Sequence, residues 1–519
     1  MLFTVGALTL LPSATPPIEH AGRILLTGPL AHLLQASTDL GPSQARRVQL
    51  TAGLAQAVRP DALIHWATGT GLSVQWQRGE DSAVIAGPAR AMSAALGVDI
   101  RDYRGRRGQI FYAATSQPEP PTTLHRVLTG FGRILGYTPV RSSRPMITPR
   151  DVPVGGLTPS ALRRAYDVDP LTDKGFTGKA RTIVVFGFDG FDQSDLDLFA
   201  DRHQLPRFTP TVVGGMPSQR SGETTMDLEM AHAIAPDAAT VFVNARPTAV
   251  GDGAYQKIGA MMDAADRQFP GAVWTLSIGW GCDKMLTAVD LAPVRSALAR
   301  AQRHGTTAFD ASGDLGGLEC KGGQDWSAPP SQDDVGLDSV ASIPEMTVVG
   351  GTTLSTDEHG DWHGEQAWFD VPLTHGSGGG VSALFDRPAW QRDVLPDRGQ
   401  NRRLTPDVAA VADFFTGASM VFQGEDVLAG GTSMSAPLWA AMTAVIDQYL
   451  LANRGRLLGD LNPLLYRLRS APRLPALRDV TVGGNAVAMA GPGYDLATGL
   501  GTPDVDRLAR GLLLAQGRS

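Results

Sequence analysis

The stretch ARTIVVFGF, residues 180–188, places Ile183, Val184, Val185 and Phe186 in unbroken succession and breaks at Gly187. A strand with one wet face alternates apolar and polar residues, whereas a strand buried on both faces does not. Four further runs have the same character: ATVFVNA (239–245), AVWTLSIGW (272–280), TTAFDAS (306–312) and EMTVVGG (345–351). Amphipathic segments separate most of them, namely QSDLDLFADRH (193–203), TTMDLEMAHAI (224–234), YQKIGAMMDAADRQ (255–268) and VRSALARAQRHG (294–305). This alternation predicts an α/β fold over 158–519, a parallel sheet with helices on both faces. Functional residues then belong at the carboxyl ends of strands or on the loops and helices that follow.

Upstream the pattern changes. RRVQLTAGL (46–54) and LSVQWQRG (72–79) alternate like strands, and RPDALIHWATGTG (59–71) between them reads as a helix. DSAVIAGP (81–88), ARAMSAALG (89–97) and GQIFYAA (108–114) then read as strand, helix and strand. The order β-α-β-β-α-β over 46–115 predicts a ferredoxin-like α+β unit within a first domain at 1–135. A short helix is expected near 122–135. Residues 136–157 hold four prolines and no periodicity, and read as a linker open to proteolysis.

The 519 residues contain no run of eighteen apolar residues, so no transmembrane helix is expected. MLFTVGALTLLPSA (1–14) is apolar but has no basic residue ahead of it, so it reads as the start of the first domain rather than a secretory signal. Residues 1–150 carry 15 arginines, no lysine and 8 acids, a formal +7, and the remainder carries a formal −14. This asymmetry suits nucleic-acid binding or docking of one part on the other. No aromatic–basic interleaving supports nucleic acid. Two cysteines, Cys282 and Cys320, are too few for a zinc site; they are two buried thiols or one bridge.

GGTSMSAP (430–437) places Ser433 at the start of an apolar segment, as a nucleophile opening a buried helix. A serine needs a base. None of the ten histidines lies in an HGTH setting, although Asp189 would pass for a subtilisin-type aspartate. His232 reads as a partly buried structural histidine. Its own helix supplies Glu223 and Asp227, four residues apart and so on one face. Two acids so close tend to hold one proton between them. Taken alone, the pair more often reads as a solvated helix face. FDASGDLGG (309–317) puts Asp314 in a glycine-flanked turn after a buried run. A carboxyl kept neutral there can donate to an oxyanion, and the plain alternative is a turn cap.

With these residues in place the chain resembles the sedolisins, the serine-carboxyl peptidases. The matching motifs are GETTMD (222–227), LSIGWG (276–281), SGDLG (312–316), VVGGTTL (348–354), GSGGGVS (376–382), PDVAA (406–410) and GGTSMSAP, in the family's order across most of 158–519. The resemblance implies a subtilisin-like fold with Ser433 as nucleophile, Glu223 as general base, Asp227 as its partner and Asp314 as oxyanion donor. A protein that had turned to binding alone would be expected to lack one of these four. Gly279 and Trp280 match the segment beside the family's substrate pocket. Kumamolisin-like members carry a further Glu where this chain has Phe186, and 329–345 fits the family pattern poorly.

RDVTVGG (478–484) and GPGYDLATGLGTPD (491–504) resemble the family's calcium site. The resemblance assigns one Ca2+ to Asp479, Asp495 and the carbonyls of Val480, Gly491 and Gly493, a mixed oxygen set of the kind calcium prefers. It also implies that the first domain is an inhibitory propeptide, with cleavage in the 136–157 linker. The opposite formal charges are expected to hold that domain in place near neutral pH and to lose strength in acid. Cys282 follows one predicted strand and Cys320 the next, so neighbouring loops would bring them together; some bacterial members are thought to have a bridge in this region. A bridge implies an oxidising compartment, hence a secreted protein. The further expectations are an acid optimum, protein or peptide substrates, endopeptidase or tripeptidyl-peptidase cleavage, and a monomer.

Overall fold

The computed structural model describes residues 26–105, 108–137, 156–321, 331–357, 359–370, 375–396, 400–469 and 475–517. The 136–157 linker lies almost wholly outside the described residues.

The first unit comprises α1 (Gly28–Gln35), β1 (Thr38–Pro42), β2 (Val48–Leu54), α2 (Asp61–Gly69), β3 (Ser73–Gln75), β4 (Ser82–Gly87), α3 (Ala89–Leu96), β5 (Ile100–Arg104), β6 (Ile110–Ala114) and β7 (Leu128–Phe131). Four of its strands form an antiparallel sheet in the order β3-β4-β2-β7. Val48, Leu50, Leu63, Ile85 and Met92 fill its core. The fourth strand is β7, not the expected GQIFYAA segment. That segment forms β6, which pairs with β5 across a short connection and joins a separate sheet, β1-β5-β6. The helix expected near 122–135 is also absent. Only a single 3-10 turn, Thr122–Leu124, precedes β7. Gly130, Gly132 and Gly136 make this stretch a poor helix former.

The second unit opens with α4 (Pro159–Ala165) and α5 (Asp169–Thr172), then β8 (Thr182–Gly187), α6 (Gln193–His203), β9 (Thr211–Val213), α7 (Glu223–Ile234), β10 (Ala239–Asn244), α8 (Ala254–Gln268), β11 (Val273–Leu276), α9 (Ala292–Arg303), β12 (Thr307–Ala311), β13 (Thr347–Thr356) and β14 (Trp362–Ala367). Six parallel strands lie in the order β13-β12-β11-β8-β10-β9. β14 runs antiparallel to β13, and the strand Val408–Val411 pairs with β13 in parallel. Each strand feeds both faces. On one, Ile183, Val273 and Phe309 meet α7 and the long helix Thr432–Ala452. On the other, Phe186, Trp274 and Leu276 meet Ile258, Met262 and Leu298 of α8 and α9. After β10 the chain crosses to the far side of β8 to form β11. The order therefore reverses around β8, and a site belongs at the carboxyl ends of β8 and β11.

The two units are in contact. Both carboxylate oxygens of Asp290 accept the Arg133 amide, at 2.9 and 3.0 Å, and Gln256 donates to Thr51 at 2.6 Å. Glycines admit the opposing side chains. A Cβ at Gly132 would run into the Asp290 carboxylate, one at Gly136 would meet Asp252, and one at Gly253 would meet Gln49. A cavity of about 40 Å³ remains between the units, lined by Tyr112, Arg133, Asp252 and Asp290. One side-chain ion pair across this joint, Glu80 with Arg300, has its acid on the arginine-rich unit. The formal charges of +7 and −14 therefore do not foretell which residues meet. They count whole surfaces, whereas docking is decided by the few groups that touch.

Candidate active site

α7 is buried around its whole circumference, all twelve residues of it. It packs on the sheet beside the helix Thr432–Ala452, flanked by α4 and α6, and has no solvated face. Glu223 opens it at 2% exposure, and Asp227, one turn on, is at 0%. The solvated-face reading of this pair is thereby excluded. Upstream, Asp189 at the end of β8 caps the helix. Its carboxylate accepts from the Ser221 amide and hydroxyl at 2.9 and 2.7 Å, and from the Thr224 amide and hydroxyl at 3.1 and 2.7 Å. Asp189 therefore orients α7 and faces no histidine. His232 on the same helix is buried, with Nε2 2.7 Å from the Pro206 carbonyl and its ring stacked on Phe208. Burial pushes it down to about 4.

Burial also holds the Asp227 carboxyl well above the usual carboxylate range; the Ser277 hydroxyl pulls it down, and the charge of Asp189 adds to the rise. Ser277 is a residue that motif reading passed over. Its Oγ lies 2.8 Å from Asp227 Oδ1 and 3.1 Å from the carbonyl oxygen of Ser433. The signal was present in the sequence. Trp274 and Leu276 point to one face of the sheet, so Ser277 follows Thr275 onto the other, toward α7.

Ser433 is the second residue of the helix Thr432–Ala452 and is 5% exposed. Beside it, Asp314 Oδ1 accepts from the Thr432 amide at 2.7 Å and from the Thr432 hydroxyl at 2.9 Å. The Thr432 hydroxyl in turn accepts from the Gly313 amide at 3.1 Å. Gly431 is required here. Its φ is +82°, and a Cβ would lie 2.8 Å from Asp314 Oδ2. Glycine thus lets a carboxyl come alongside the first turn of the helix, where the helix dipole is positive.

The amides of Trp280 and Gly281 donate to Asp338 Oδ2 at 2.5 and 3.0 Å. The Trp280 ring is fully buried against Phe188. Asp338 lies in the poorly matching 329–345 segment and was not foreseen. Phe186 is fully buried against Trp274, so the place of the further acid is apolar. Cys282 and Cys320 form a disulfide with Cα atoms 4.6 Å apart. It packs on Met285 and on Leu33, Leu135 and Tyr137 of the first unit.

Far along the chain, the Gly493 amide donates to Asp479 at 2.8 Å and the Gly491 amide to Asp495 at 3.1 Å. Asp495 also accepts from Ala497 and Thr498. Val480 is buried beside them. The two loops thus meet around two carboxylates, and the five residues offer oxygen donors only, which suits calcium. Arg469 lies 3.6 Å from Asp479. Among the described residues no helix is long and apolar enough to cross a membrane.

No protein-family model matches the chain. Kumamolisin of Bacillus sp. (strain MN-32) is 31% identical over 485 residues, covering 83% of this chain and 79% of kumamolisin. Sedolisin of Pseudomonas sp. (strain 101) is 26% identical, covering 82% and 73% of the two chains, and tripeptidyl-peptidase 1 of Rattus norvegicus is 28% identical, covering 73% and 69%. The solved structure of the Pseudomonas sedolisin, a serine-carboxyl proteinase, in complex with pseudo-iodotyrostatin superposes with a TM-score of 0.58 at 25% identity, over 68% of this chain and 97% of that one. The chain is a peptidase and belongs to the sedolisin family.

Proposed function

We propose that this peptidase acts in acid through Ser433, Glu223, Asp227 and Asp314. One observation carries the reading: Glu223 and Asp227 are withdrawn from water at 2% and 0% exposure, and Asp227 is joined through Ser277 to the backbone of Ser433. A buried carboxyl pair holds one proton between its members, so one member remains a base. Ser433 Oγ bonds to the substrate carbonyl carbon as its proton passes to Glu223, with Asp227 holding the proton that the pair already shares. The carbonyl oxygen takes the negative charge and receives a hydrogen bond from neutral Asp314, aided by the helix dipole. The C–N bond then breaks, and the leaving amine takes the proton from Glu223. Water repeats the sequence on the acyl-enzyme, releasing the acid and restoring Ser433.

Endopeptidase cleavage is the form proposed; tripeptidyl-peptidase cleavage, the activity named in the Rattus relative, is the alternative. Mass spectra of a digested protein separate internal cuts from a ladder of tripeptides. In the same reading one calcium ion is held by Asp479, Asp495 and the carbonyls of Val480, Gly491 and Gly493, and stabilises these loops. The first unit is an inhibitory propeptide removed by self-cleavage, and the enzyme is secreted and monomeric. The primary test is digestion of denatured casein from pH 3 to 8 by the wild type and by Ser433→Ala, Glu223→Gln and Asp227→Asn. Activity confined to acid and lost in all three variants is expected. A maximum at pH 8, or turnover by Ser433→Ala, overturns the reading.

A further inference from the structure

Ser277 Oγ has one hydrogen and two acceptors within reach, Asp227 Oδ1 at 2.8 Å and the Ser433 carbonyl at 3.1 Å. A hydroxyl donates once and accepts through its lone pairs. If Asp227 is ionised, the hydrogen goes to the carboxylate, and the Ser433 carbonyl loses this donor inside the protein. If Asp227 carries a proton on Oδ1, all three groups are served at once. Asp227 then donates to Ser277, and Ser277 donates to the Ser433 carbonyl. Asp227 Oδ2 points the same way: it is buried with no hydrogen-bond partner, a costly state for a carboxylate and a tolerable one for a carboxylic acid. The charge of Asp189 at the end of β8 acts on Asp227, and Glu223 lies one turn before it on the same helix. Both are acids and both favour the proton. The sheet contributes Ser277 itself, and the helix Thr432–Ala452 contributes the Ser433 backbone.

We propose that Ser277 is a positioning residue that relays the proton state of Asp227 to the Ser433 carbonyl, holding the nucleophile's turn in place while Asp227 is protonated and releasing it when Asp227 ionises. The inference rests on the peptidase reading above. It adds a route by which the pair's charge reaches the nucleophile through its backbone as well as through its hydroxyl.

The test is the pH dependence of kcat and KM for a peptide substrate, compared between the wild type, Ser277→Ala and Ser277→Thr. Ser277→Ala removes the donor to the Ser433 carbonyl and is expected to lower kcat about 10-fold, the scale of one hydrogen bond, with KM within about twofold. It also removes a donor that favours ionised Asp227. The ionisation of Asp227 that releases the turn then comes at higher pH, and the alkaline limb of kcat/KM moves up by about one pH unit. Ser277→Thr keeps the hydroxyl and is expected to restore both. An Ala variant with wild-type kcat and pH profile overturns the proposal, even if its Tm falls, and so does a Thr variant no better than Ala. Should Ser277→Ala not fold, Ser277→Cys, nearly isosteric with a weak donor, is expected to show the same displaced limb, and a wild-type limb in Cys overturns the proposal. A wild type inactive toward peptides at every pH overturns the peptidase reading, and this inference falls with it.

Discussion

The Thr432 amide donates to Asp314 Oδ1 at 2.7 Å, which fixes a carboxyl against the turn that presents Ser433. The Thr432 hydroxyl contacts the same oxygen at 2.9 Å, and Oδ2 forms the edge toward Gly431. A proton on Oδ2 makes Asp314 a donor at the helix terminus. Asp314→Ala is expected to lower kcat by about 100- to 1,000-fold, the usual cost of losing one oxyanion donor. Loss of a donor made in the transition state leaves KM nearly unchanged. Steady-state kinetics on a peptide substrate decide it, and turnover within about threefold of wild type would remove Asp314 from the mechanism.

Several carboxyls are pushed up by burial: Asp447 to about 7, and Asp283 and Asp290 to about 6. Unfolded, they titrate near 4. Between about pH 4 and 7 the folded chain therefore holds more protons than the unfolded one. Stability is greatest in acid and falls as pH rises, by about 1.4 kcal/mol per pH unit for each such group. Thermal melts of the Ser433→Ala chain from pH 4.5 to 8 are expected to show a falling Tm. Asp447→Asn, with no charge to bury, is expected to flatten the slope. A Tm that rises toward neutrality contradicts this account.

Calcium bound only to the folded chain raises its stability by mass action. At about 100 times Kd the gain is about 2.7 kcal/mol. Chelation is expected to lower Tm, and Asp495→Ala to abolish any response to added calcium. An unchanged melting curve after chelation counts against the site.

The joint between the units bears on activation. Burial raises Asp290 while it accepts the Arg133 amide. The amide bonds and the charge that Arg133 brings to Asp290 favour its ionised form, so a proton there weakens this one contact and leaves the rest of the joint in place. Release then depends on cutting the chain. After a shift to acid, wild-type precursor is expected to lose its first unit within the time that the Ser433→Ala precursor retains amide-exchange protection over 48–54. Gly132→Ala drives a methyl against Asp290 and is expected to reduce that protection at every pH. Full protection in Gly132→Ala, or cleavage of Ser433→Ala at the wild-type rate, refutes the account.

The parallel sheet was legible because Ile183, Val184 and Val185 allow no wet face. The candidate site could be proposed from the sequence because its acids and serine sit in short motifs at strand ends and helix starts. β7 was hidden. Leu128–Phe131 is short, contains a glycine and gains its strand character from pairing with β2, a partner more than seventy residues away. Ser277 and Asp338 were missed for a different reason. Each owes its meaning to what it touches, Ser277 through Asp227 and Asp338 through the Trp280 amide, and neither contact leaves a mark in local composition. The residues of the joint could not be named from the sequence, because net charge is a sum and contacts are local.

A helix with no exposed side chain cannot fray or shift without breaking the core around it. α7 is such a helix, and it carries both acids of the proposed pair. Its amides should belong to the slowest-exchanging class, opening only when the whole unit opens. As denaturant is added, the geometry of Glu223 and Asp227 should survive as long as the fold does. Inactivation that precedes unfolding will have to come from the loops around the cleft.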